Sequence, residues 1–111
     1  MKPTMLNWVY LFVAGVLEIA WAISMKYSEG LTKLWPTLAA YGLGFASFYF
    51  LALAAEHLPI GTAYAIWTGV GAVGTAILGM MLFSEPRHWL RLLSILFIVV
   101  GIVGLHLTAH K

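Results

Sequence analysis

The sequence has no cysteine and no aspartate, and only 9% of its 111 residues are charged. The missing cysteine excludes disulfides and thiolate metal sites and removes the usual clue to redox compartment. The missing aspartate leaves four glutamates, Glu18, Glu29, Glu56 and Glu85, as the only acids. So little charge beside 62% hydrophobic residues excludes an ordinary soluble domain of this length. The six Lys and Arg are scattered and the net charge is only +2, so no basic patch exists and nucleic acid is excluded as a partner. No nucleophile stands beside a base and no cofactor motif is intact, so neither an enzyme nor a cofactor is expected.

What is present is apolar sequence in long runs. A hydrocarbon core of ~30 Å needs ~20 apolar residues per spanning helix, and the chain supplies four such runs, near 7–25, 36–54, 60–82 and 89–108. The expected fold is therefore an all-α membrane protein with four transmembrane helices in a single domain over 1–111 and a lipid bilayer around it. Polar residues punctuate the runs: Lys26 to Lys33, then Glu56, His57 and Pro59, then Ser84 to His88. The connections are short, so successive helices run antiparallel. Trp8, Trp35 and Trp89 fall at predicted helix ends, where an indole suits the headgroup region, whereas Trp21 and Trp67 fall well inside. Ala20-Trp21-Ala22 has the form of a signal-peptidase site, but the glutamate and the length of the first run predict a retained helix.

Four spans put Lys2, the second loop and Lys111 on one side, and Lys26, Lys33, Arg87 and Arg91 on the other. A bias of two against four commits the chain only weakly to one orientation.

Three of the four glutamates fall in loops, and only Glu18 falls near a helix midpoint. A charged residue there costs ~2.5–3.5 kcal/mol on insertion scales, so such residues face a bundle interior or cavity and mark an ion or substrate pathway. Helical spacing gives Glu18 a face shared with Gly15, Trp21 and Ala22, which reads as one wall of a pocket. The third helix places Tyr64, Trp67, Thr68 and Gly71 together, and Ser47 is the polar residue nearest the middle of the second. Taken singly, each has an ordinary explanation: a mid-helix serine bonds its own i−4 carbonyl, and a mid-helix aromatic packs. Together they set hydroxyl and indole donors at the depth of the one buried acid. A carboxylate among aromatic rings selects a cation, each ring contact contributing ~0.5–2 kcal/mol. Proton and cation then compete for one group. If the site opens to one side at a time, that competition suffices for exchange transport. A membrane scaffold in which Glu18 only fixes packing, and a channel without proton coupling, remain open alternatives.

Two patterns mislead. Gly69, Gly71 and Gly74 satisfy the spacing G-x-G-x-x-G, but with no preceding strand they fit close packing or a bend, not a dinucleotide. His106 and His110 are four apart but lack a third ligand, so no metal is expected. Four short helices enclose too little space for a pathway, which implies an oligomer. Ser94, Gly101 and Gly104 offer a small-residue stripe on the fourth helix, equally compatible with a dimer interface and with packing inside the chain.

GVLEIAWA at 15–22, KYSEGLTKLWP at 26–36, LPIGTAYAIWTGVGAVG at 58–74 and FSEPR at 83–87 resemble the small multidrug resistance family of bacterial transporters, and within it the guanidinium-exporting branch. The resemblance covers about residues 8 to 107. It implies an antiparallel homodimer in the bacterial inner (plasma) membrane that exports guanidinium or another small organic cation against protons. Carried onto this sequence, it implies that Glu18 binds proton and substrate, that Trp21, Ser47, Tyr64 and Trp67 line the site, and that Ser94 and Gly101 form the interface, with serine where other members have glycine. Branches exporting quaternary ammonium ions have small residues after the glutamate, so Trp21 favours a tighter site. Guanidinium suits one, being planar, with N–H donors in a fork that matches a carboxylate. A broader multidrug exporter is the alternative within the family.

Overall fold

The structure is a computed structural model, and it describes residues 5–109. Lys2, His110 and Lys111 lie outside the described residues. Four helices follow one another: α1 (Met5–Tyr27), α2 (Leu34–Ala55), α3 (Ile60–Leu82) and α4 (Trp89–Thr108). Each is long and apolar enough to cross a membrane. Their limits extend the first two apolar runs by one or two residues at each end, because the polar flanks still support helical hydrogen bonding beyond the hydrocarbon. With 20 to 23 residues per helix at ~1.5 Å each, every helix spans ~30–35 Å.

Local chemistry sets the turns. After α1, the Ser28 carbonyl accepts from the backbone N–H of Thr32 and Lys33, and its Oγ donates to the Met25 carbonyl. That hub bends the chain through Glu29, Gly30 and Leu31, all at positive φ. Lys33 and Glu29 form an exposed ion pair. Pro59 precedes α3, where its missing N–H costs nothing, and its carbonyl accepts from Ala63. His88 caps α4 by accepting the Leu90 N–H at its Nδ1, 3.2 Å away.

The third connection folds back on the end of α3. Arg87 donates to the Met80 carbonyl at 3.2 Å, and Arg91 to Glu85 Oε1 at 2.8 Å. The Glu85 carboxylate occupies the notch left by Gly79, where a Cβ would come within 2.5 Å of it.

A small core of Leu11, Ala14, Leu51, Ala54, Leu58, Ala63 and Ile66 joins α1, α2 and α3. Glycine lets α1 and α3 approach closely: a Cβ on Gly15 would fall 2.6 Å from Val70 Cγ1, and one on Gly74 would strike Ile19. Gly69 faces the other way, receiving Ile98 and Ile102 of α4. The glycine triplet therefore serves packing on two faces of one continuous helix.

Helix α4 contains no buried residue. It docks on α3, and His106 meets the Trp8 ring at 4.4 Å between centroids. Its small residues take no part: a Cβ on Gly101 or Gly104 would meet nothing within 4 Å, and Ser94 Oγ donates to its own helix at Leu90. Packing of that stripe inside the chain, the alternative left open by spacing, is thus absent. The chain is a slab 17 Å deep, about one and a half helix diameters.

Candidate functional site

Glu18 lies fourteen residues into the 23-residue α1, near mid-membrane. It borders a cavity of about 450 Å³ between α1, α2 and α3. Trp21, one turn further along α1, forms the adjoining wall, while α2 contributes Tyr41, Gly44, Phe45, Ser47 and Phe48, and α3 contributes Trp67. Aromatic rings thus line the cavity that the one intramembrane carboxylate borders.

Its surroundings explain the presence of Gly71. A Cβ on Gly71 would collide with the Glu18 carboxylate, so the acid is seated against bare α3 backbone. Glu18 Oε2 is shielded from solvent and has no hydrogen-bond donor among the described residues. A buried carboxylate oxygen without a donor is costly, and either a proton or a bound cation relieves that cost.

The donors expected to orient Glu18 are engaged with one another instead. Trp67 Nε1 donates to Ser47 Oγ at 2.9 Å, and Ser47 Oγ donates to the Ala14 carbonyl at 2.6 Å. A hydroxyl has one proton, and here it goes across the helix interface to α1. Ser47 is therefore not bonded to its own i−4 carbonyl, the ordinary alternative. The chain α3–α2–α1 ends on the turn that precedes Glu18, since in an α-helix the Ala14 carbonyl is the acceptor for the Glu18 N–H. Ser47 itself is 1% exposed.

Two residues expected in the lining lie elsewhere in the chain. Gly15 is buried at the α1–α3 crossing against Val70 and does not border the cavity. Tyr64 is 55% exposed, its ring 5.6 Å from that of Trp67 and tilted by 58°. It continues the aromatic surface outward from the cavity. Thr68 turns back to the Tyr64 carbonyl at 2.9 Å.

Tyr41, Gly44, Phe45 and Phe48 were not singled out by sequence reasoning. The signal was available: positions 41, 44, 45 and 48 repeat at helical spacing, and Gly44 lies one turn before Ser47. In a helix hydrophobic all round, however, such a stripe does not stand out.

Comparison with known proteins gives the family. The family described as Small Multidrug Resistance protein matches residues 6–98. The chain is 50% identical over 104 residues to a guanidinium exporter of Proteus vulgaris, covering 94% of this chain and 100% of that protein. It is 47% identical over 105 residues to a guanidinium exporter of Citrobacter freundii, and 45% identical over 105 residues to one of Escherichia coli (strain K12), with 95% of this chain and 100% of each relative covered. Four membrane-spanning helices, a carboxylate held in an aromatic cavity between three of them, and a family match over most of the length converge: the chain is a multi-pass membrane protein that belongs to the Small Multidrug Resistance protein family.

Proposed function

We propose that this protein exports guanidinium, and small substituted guanidinium ions, in exchange for protons across the inner (plasma) membrane of a bacterium. The observation that carries the proposal is the Glu18 oxygen, shielded and without a donor at the edge of an aromatic cavity. The guanidinium-exporting relatives add the substrate class. A planar guanidinium supplies N–H donors to the Glu18 carboxylate and lays its face on the indoles of Trp21 and Trp67. A quaternary ammonium ion supplies none.

Proton and guanidinium neutralise the same carboxylate, so each displaces the other. The empty, ionised carboxylate is the costly state, and reorientation proceeds with one ligand or the other in place. A proton gradient then drives the cation outward. The functional unit is an antiparallel homodimer: the uncovered stripe of Ser94, Gly101 and Gly104 provides a close-contact face, and the weak charge bias permits insertion both ways.

The test is flux of guanidinium into proteoliposomes loaded at acidic pH and diluted to neutral pH. Uptake that collapses with a protonophore supports exchange. Guanidinium flux indifferent to the proton gradient identifies a channel, and no flux or binding identifies a scaffold.

A further inference from the structure

Gly44 lies in the middle of α2, where glycine is the poorest helix former after proline and needs a reason to be. Its neighbour Gly42 faces open space, with nothing within 4 Å of a Cβ. Gly44 does not: a Cβ there would fall 2.7 Å from Trp21 Cδ1, 2.9 Å from its Nε1 and 3.5 Å from its Cγ. The five-membered edge of the indole rests directly on α2 backbone. Both residues border the cavity that contains Glu18.

We propose that Gly44 is a positioning residue whose bare backbone seats the Trp21 indole and thereby sets the free space beside Glu18. This inference rests on the guanidinium reading where it concerns substrate choice. An indole is rigid and turns about only two torsions, so it cannot yield locally to an added methyl, and the whole ring moves. Gly44 and the ring border the same cavity. Displacement of the indole from α2 therefore changes the space next to the carboxylate one turn earlier on α1. The width of the site is set jointly by a large residue on α1 and the absence of a side chain on α2.

Substrate bulk reads out that width. Gly44→Ala narrows the site, so a phenyl-substituted guanidinium loses transport relative to guanidinium by about tenfold or more, the range by which a pocket discriminates on volume. Gly42→Ala, on the same helix, leaves the ratio unchanged. In a Trp21→Ala background no ring remains to be displaced, and adding Gly44→Ala leaves the ratio where Trp21→Ala set it. A general defect in α2 packing has no reason to vanish with the indole.

A second readout needs no substrate. The Trp21 indole N–H resonance, assigned by its loss in Trp21→Ala, shifts in Gly44→Ala and stays fixed in Gly42→Ala. An unmoved resonance in Gly44→Ala overturns the proposal, as does a change in selectivity that persists undiminished without Trp21. If the resonance moves but the wild-type protein carries no guanidinium, the functional reading fails and the seat of Trp21 stands.

Discussion

Replacing Ser47 by alanine removes one oxygen and two hydrogen bonds: the bond donated to Ala14 at 2.6 Å and the one accepted from Trp67 at 2.9 Å. Interhelical hydrogen bonds in membrane proteins contribute ~0.6 kcal/mol on average and up to ~1.7 kcal/mol. Stranding the Trp67 N–H in a partly buried place adds a desolvation penalty of ~1–3 kcal/mol, diminished by whatever the released indole reaches in the cavity. A net loss of ~1–3 kcal/mol in stability is expected, and guanidinium flux falls as the wall of the site loosens. Trp67→Phe keeps a ring against the cavity but removes the donor. If the Trp67–Ser47 bond carries the effect, Trp67→Phe costs less in the Ser47→Ala background than in the wild type. The assay is the complete cycle of four proteins, measured by proton-driven guanidinium flux. Independent sites add to within ~0.3–0.5 kcal/mol, so additivity at that level refutes the argument that the bond orients the site.

Glu18→Gln inserts normally but loses both gradient-driven uptake and pH-dependent guanidinium binding, and retained exchange refutes the shared-ligand mechanism. Gly71→Ala drives a methyl into the Glu18 carboxylate, so guanidinium affinity falls by about tenfold or more while yield and helicity hold; an unchanged titration counts against the seat. A C-terminal reporter is found on both sides of the membrane, and two or three added Lys at one end shift it to one side; strictly one-sided labelling with intact transport excludes the antiparallel homodimer. The hydrogen bond from Lys33, with its charge, holds the Glu29 carboxyl below its usual range, so this pair stabilises the loop above that range and is lost as pH falls through the lowered value. Both side chains are mostly exposed, so Glu29→Gln leaves the pH profile of flux unchanged near neutrality; a shifted profile places a second titrating group in the cycle.

The four spans were legible because the solvent imposes them: in a bilayer each backbone amide must be satisfied within its own helix, so apolar length alone names the element. Glu18 was legible for the same reason, as the one acid that the apolar runs do not explain. Side chains on one helix were placed well by periodicity, as Glu18 and Trp21 on the cavity face show. What joins two helices was less legible. Periodicity put Gly15 on the Glu18 stripe, but whether that stripe faces a cavity or a neighbour depends on Val70 of α3, which arrives from 55 residues away.

Partner choice was hidden more deeply still. Ser47, Trp67 and Glu18 border one cavity, and each donor was expected to serve the carboxylate. The hydroxyl proton instead goes to Ala14, a backbone carbonyl that no side-chain inventory includes, and the indole proton goes to the hydroxyl. Backbone acceptors are present at every residue, so sequence cannot rank them against a carboxylate; only the crossing of α1 and α2 does. The consequence is functional. Under the proposed exchange, a carboxylate that serine and tryptophan do not bond has no such bonds to lose before a proton or a cation binds. The Ser47 bridge therefore holds the wall of the site together while leaving Glu18 as the group whose charge remains to be met.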